Sequence, residues 1–194
     1  MDQIRQEMVV WDMRRITSQP AAAASNAAQV ATCLIKRTGE AAPELVGGAM
    51  TTDPRFDRLS KALSGKHKAC SGKSSGLPLF LINSAVAEQL IRAKNRTYPD
   101  RAAPADAAAG ASLYKAAAGV TIDSVGRCLA VQSPGLVYKV VAATPGSPQE
   151  AQALANAYAQ TPSCGVPAAP ADIPVVEQRA ALTLGLFAAT HRTN

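Results

Sequence analysis

The sequence predicts an all-α protein made of two tandem four-helix modules, each stapled by one disulfide. Three observations predict it. Aromatic residues are only 4% of a chain that is 47% apolar, so its apolar content is mostly Ala, Val and Leu, which favours helices over aromatic-rich sheets. The four cysteines fall into two pairs, Cys33 with Cys70 and Cys128 with Cys164, at separations of 37 and 36 residues. Around those pairs, helix-start signals and apolar stripes recur in the same order in both halves of the chain.

Residues 1–24 carry no assignable pattern, although Met8, Val9, Val10 and Trp11 are too apolar to be left in water and are expected to pack on one module. Module 1 covers 25–95. Its first helix sets Ala27, Val30 and Leu34 on one face beside Cys33, and a short second helix, capped by Thr38, presents Leu45 and Val46. The third helix opens on Asp53-Pro54, an N-cap followed by proline in the first helical position, and carries Phe56, Leu59 and Leu63 at i, i+3, i+7. The closing helix has Leu79, Ile82, Val86 and Leu90 on its core side. Ser84, Glu88 and Arg92 lie opposite, where Glu88 and Arg92 are spaced i, i+4 for an ion pair.

The stretch 96–111, with Pro99 and Pro104 among Ala, Asp and Arg, reads as a linker. Module 2 covers 112–190 and repeats the order. Ile122, Val125 and Leu129 flank Cys128; a short helix led by Ser133-Pro134 presents Val140 and Val141; and Ser147-Pro148 starts a third helix bearing Ala151, Leu154 and Tyr158. Glu150, three residues after Ser147, can return a bond to the cap backbone in a capping box. Val176, Ala180, Leu184 and Phe187 give the closing helix its core side.

Four cysteines allow three connectivities, and the repeat singles out Cys33–Cys70 and Cys128–Cys164, because crossed pairing would break the modular symmetry. Each bridge would close a loop worth ~3–4 kcal/mol in the chain-entropy model. Such bridges persist in oxidising compartments, so a periplasmic or secreted location is expected. That expectation comes from the cysteines and not from a leader: the residues before Ala21 include Arg5, Glu7, Asp12, Arg14 and Arg15 and do not read as a signal peptide. The pattern Cys128-Leu129, Thr144-Pro145-Gly146-Ser147, Cys164 and the helix through Leu184 resembles a family of uncharacterised secreted bacterial helical proteins. In that family a cysteine-bearing helix is followed by a Thr-x-Pro-Gly-Ser element, a second cysteine and a terminal amphipathic helix. The first half carries a weaker copy that lacks Pro-Gly-Ser. The resemblance implies an extracytoplasmic location and brings no activity with it.

The net charge of +6 comes entirely from the first half: residues 1–97 hold 14 Lys or Arg against 8 Asp or Glu, and residues 98–194 hold 6 against 6. The basic residues are scattered and aromatic partners for bases are scarce, so nucleic acid is not the expected partner. The most apolar stretch, Leu77–Ile91, is broken by Asn83 and Glu88, so no membrane span is expected.

Lys61, Lys66, Lys68 and Lys73, with His67, form the one local concentration of positive charge and a candidate anion-binding patch. His67 and Cys70 are spaced for a thiolate–imidazole pair or for two metal ligands, but the matching position of module 2 has no histidine. A bridged Cys70 beside a solvated His67 is the expected arrangement. Ser71–Gly76 contains Gly-Lys-Ser, yet His67 stands where a phosphate loop needs its first glycine. Glu40 and Glu44 serve a helix N-terminus rather than acid–base chemistry, and Asn95-Arg96-Thr97 matches a glycosylation sequon. No cofactor, metal site or catalytic residue is expected. The leading expectation is a non-enzymatic extracytoplasmic helical structural or protein-interaction module. The alternatives are a binder of an anionic ligand or polymer and, third, a thiol-dependent enzyme.

Overall fold

The computed structural model describes residues 16–47, 54–73, 76–114 and 120–191, and among these the regular structure is all helical. The expected packing of Met8–Trp11, the Asp53 cap and the Phe56 side chain lie outside the described residues. Eight α-helices follow in order: α1 (Pro20–Thr38), α2 (Pro54–Ser64), α3 (Leu79–Ala93), α4 (Pro104–Gly110), α5 (Ile122–Gln132), α6 (Pro134–Ala142), α7 (Pro148–Gln160) and α8 (Val175–Thr190). Short 3₁₀ helices cover Gly39–Leu45, Lys68–Lys73, Ala111–Leu113 and Pro162–Cys164. None of the described helices is long and apolar enough to cross a membrane.

Both disulfides are formed as paired in the sequence, Cys33–Cys70 and Cys128–Cys164. Each ties the first helix of its half to a 3₁₀ turn, Lys68–Lys73 or Pro162–Cys164. The periodic stripes are where their spacing puts them: Ala27, Val30, Leu34, Leu59, Ile82, Val86, Leu129, Val140, Val141, Leu154 and Tyr158 are all within 2% of full burial. Leu45, Leu79, Leu90 and Ile122 are half-buried, and Ala151 departs furthest. It is exposed, and Ala157 takes the buried position on α7 instead.

The helices α1, α3, α8 and α5 pack in sequence, each along the next, with α6 stacked on α8 and α7 stacked on α6. One continuous core therefore runs from Val30 of α1 to Phe187 of α8 and includes residues from both halves. A smaller cluster, Ile16, Ala23, Ala27, Leu81 and Val176, lies beneath the first turns of α1, α3 and α8.

Several local expectations need correction. The second element of the first half is a 3₁₀ helix containing Pro43, and Thr38 does not cap it: its hydroxyl donates back to the Leu34 carbonyl at 2.8 Å. Ser133 leads α6 without a side-chain cap bond. Thr121 and Ser124, by contrast, form a capping box at the start of α5. The stretch 96–111, read as the linker, is held against the second half. It includes α4, Ala102 N–H donates to the Gln132 carbonyl at 2.9 Å, and Gly135 N–H donates to the Pro99 carbonyl at 2.8 Å. The closing helix α8, which reads as amphipathic, is buried on every side: from Val176 to Phe187 only Glu177 escapes. It occupies the centre of the fold, so its polar residues must find partners inside the protein.

Candidate functional site

Arg179 is the charged residue inside that central helix, and only 7% of its side chain is exposed. A guanidinium cannot lose its proton, so burial is tolerable only if its donors are met. They are met four times. Nη1 donates to Glu150 Oε1 at 2.9 Å and to the Val140 carbonyl at 2.6 Å; Nη2 donates to Glu88 Oε2 at 2.9 Å and to the Val141 carbonyl at 2.8 Å. Val140 and Val141 lie in the last turn of α6, where helix carbonyls lack intrahelical donors and the backbone dipole is negative. Arg179 thus closes the end of α6 from a neighbouring helix.

Both carboxylates are themselves shared. Glu150 is 2% exposed, and its second oxygen accepts the Gly146 N–H at 2.6 Å while its own N–H donates to Ser147 Oγ at 3.2 Å. The expected capping box is therefore half made: Ser147 caps, but the Glu150 carboxylate turns to Gly146 and Arg179 rather than to the cap backbone. Glu88 forms the expected pair with Arg92 at 2.8 Å, and Arg92 also donates to the Val141 carbonyl. The face of α3 bearing Ser84 and Glu88 is not the solvent face read from the sequence. Ser84 is buried and Glu88 points to Arg179 across the joint between the halves.

This network forms one side of a cleft of about 680 Å³ between α1, α3, the Thr144–Ser147 turn, the start of α7 and the chain entering α8. That volume is in the range of ligand pockets, roughly 300–1,000 Å³. Its walls are small and mostly apolar: Ala21, Ala24 and Ala28 of α1 face Ala85 of α3 and Ala151 of α7. Gly146 has φ +77°, and a Cβ there would meet Pro20 Cγ at 2.9 Å, so glycine is what lets the turn close against the start of α1. Val175, one of two exposed large apolar residues among those described, stands at the mouth with 45% exposure. The buried Gln178 amide donates to the carbonyls of Pro170 and Ile173 at 2.8 and 2.6 Å and pins the rim segment that holds exposed Asp172.

The residues singled out from the sequence lie elsewhere. Lys61, Lys66 and Lys68 are found at the end of α2 and in the following turn, outside the cleft, with Lys66 and Lys68 exposed and Lys61 exposed on the last turn of α2; the Lys73 side chain lies outside the described residues. His67 is 7% exposed, not the solvated helix-end cation expected, and Cys70 beside it is bridged, so no thiolate faces the imidazole. Among the described residues no group of three His, Cys, Asp or Glu side chains is placed to hold a metal ion.

Sequence reasoning missed Arg179 and gave Glu88 and Glu150 only local roles. The available signal was the composition of the last helix, in which the lone arginine is followed by a run, Ala180–Ala189, whose one polar side chain is Thr183. No family model matches the chain, and no match is found among curated proteins or solved structures.

Proposed function

We propose that the protein is a non-enzymatic, extracytoplasmic helical interaction module whose partner seats in the cleft between α1, α3 and the Thr144–Ser147 turn. The observation that carries this reading is the pairing of a ligand-sized, small-residue cleft with a charge network in which all four terminal N–H bonds of Arg179 go to protein groups. Such a network suits holding a surface in shape rather than moving protons. The disulfides support an oxidising compartment, the periplasm or the cell exterior. The matching order of helix, short helix, Pro-initiated helix, cysteine turn and long helix supports reading the halves as copies of one unit.

The test is to fill the cleft. Ala24, half-buried on the α1 wall, is replaced by Trp, and proteins captured from extracts of the native compartment are compared by quantitative mass spectrometry. A partner held by the wild type and lost with Ala24→Trp supports the reading; an identical set on both variants removes the cleft from consideration. A second reading, an anionic ligand on Lys61, Lys66 and Lys68, is favoured by the exposure of those lysines, and their joint neutralisation should abolish its salt-dependent binding.

A further inference from the structure

We infer that the cleft takes a cationic stretch of a partner polypeptide, a lysine or arginine set among small apolar residues. This rests on the reading of the cleft as the binding site and adds the chemistry of what enters it.

The sign of the charge comes first. The ionisable residues lining the cleft are Glu88, Glu150, Asp172 and Arg179, three acids against one base, on a chain whose net charge is +6. With Arg92, which pairs with Glu88 at 2.8 Å, three acids stand against two bases, a local balance still opposite in sign to the global one. Arg179 offers an anion none of its four terminal N–H bonds, which go to Glu88, Glu150 and the carbonyls of Val140 and Val141. Arg92 offsets part of the charge of Glu88 but does not line the cleft. A carboxylate oxygen can accept two hydrogen bonds, and the Glu88 oxygens each receive one from these partners; with 21% of its side chain exposed Glu88 keeps acceptor capacity for an entering group, whereas the buried Glu150 does not. Asp172 at the rim is exposed. An entering ammonium or guanidinium finds carboxylate acceptors; an entering carboxylate or phosphate meets those same carboxylates and a guanidinium whose four terminal N–H bonds are taken.

The walls point to a polypeptide. Alanines on facing helices let a chain approach closely, and Val175 offers an exposed apolar contact at the mouth. The hydroxyls of Ser25, Thr144 and Ser147 stand on the lining, where they can bond main-chain amides. A compact amine would use the carboxylates but leave this polar edge and Val175 uncovered. Charge complementarity of this kind governs association rate and partner choice more than total affinity.

The test is a selection of random peptides displayed on phage against the disulfide-intact protein, followed by counter-selection on Ala24→Trp and, separately, on Ala28→Phe. Both blocked variants are checked for wild-type thermal unfolding, and either one suffices if the other fails to fold. The expected result is a set of peptides lost on the blocked cleft and enriched in Lys or Arg beside small apolar residues. For one such synthetic peptide, Asp172→Asn should weaken binding roughly two- to fivefold at low salt, with the difference shrinking at high salt. Cleft-dependent peptides that are neutral or acidic would overturn the cationic inference and leave the cleft as a binding site. Failure to recover any cleft-dependent peptide would overturn both.

Discussion

Arg179 and Glu150 meet at 2.9 Å with 7% and 2% of their side chains exposed, and they join the second turn of α8 to the first turn of α7. The pair is more than an ion pair. The same guanidinium satisfies two terminal carbonyls of α6, and the same carboxylate holds Gly146 in the turn that faces Pro20. Removing one member leaves the other charged and buried, which typically costs about 3–5 kcal/mol.

Arg179→Met should therefore lower the unfolding free energy by about that amount in urea denaturation, and Glu150→Gln by a smaller but measurable one. The double variant should be less unstable than the sum of the two, because neither charge is then stranded. Strict additivity in the cycle would show that the two residues act independently.

The crossing of α5 and α8 depends on two glycines. A Cβ at Gly126 would lie 2.5 Å from the Ala181 carbonyl oxygen, and one at Gly185 would lie 2.5 Å from the Gly126 carbonyl oxygen. Those neighbours are backbone and cannot rotate away. Either glycine changed to alanine should lose about 1–3 kcal/mol by forcing the helices apart, outweighing the ~1 kcal/mol that alanine gains in helix propensity. Gly72 is the control, because a Cβ there would have nothing within 4 Å and its φ is not positive: Gly72→Ala should be neutral or slightly stabilising. Equal melting temperatures for all three variants would contradict the close crossing.

What the sequence reveals and what it hides follow the same physical division. Helices with one apolar face against solvent are legible, because Val30 and Leu34, or Leu154 and Tyr158, recur at the helical period. The cysteine pairing is legible because the two spacings agree. Partners distant in the chain are not. Glu88–Arg92 is visible as i, i+4, whereas Arg179 reaches Glu150 across 29 residues and Glu88 across 91, and no local period encodes either. Polar positions on α8 read as a wet face only because composition does not show that three other helices surround it. The segment 96–111 reads as a linker for a related reason: its anchors, the backbone bonds joining Ala102 to Gln132 and Gly135 to Pro99 and the contacts of Tyr98 with Tyr138, Asp100 with Lys139 and Arg101 with Gln160, all reach partners that no local period encodes.

The disulfides should matter separately. Each closes a loop of 37 or 36 residues, for which the chain-entropy model gives ~4 kcal/mol. Replacing Cys33 and Cys70 by Ser, or Cys128 and Cys164, should each lower the thermal midpoint markedly, and reductant should bring the wild type down at least as far as either variant. A reductant-insensitive melting curve, with thiol titration proving that both bridges had opened, would mean the helical packing holds the fold without them.

Alkaline stability should be set in part by Tyr158. Its ring is fully buried on α7 and its hydroxyl has no hydrogen-bond partner among the described residues. Desolvation pushes its pKa from 10.0 up to about 12. In the unfolded chain the phenol loses its proton near pH 10; in the fold it keeps it until about pH 12. Between those values the unfolded state binds fewer protons than the native one, so stability falls as pH rises through that window and is unaffected below it. The loss from this one group is on the order of 2–3 kcal/mol by the top of the window. Tyr158→Phe removes both the titration and the unpartnered hydroxyl. It should match or exceed wild-type stability at pH 7, by up to ~1 kcal/mol, and should resist the decline between about pH 10 and 12. Guanidinium unfolding of both proteins across that range checks it. A phenylalanine variant clearly less stable at pH 7 would mean that the hydroxyl has a partner after all.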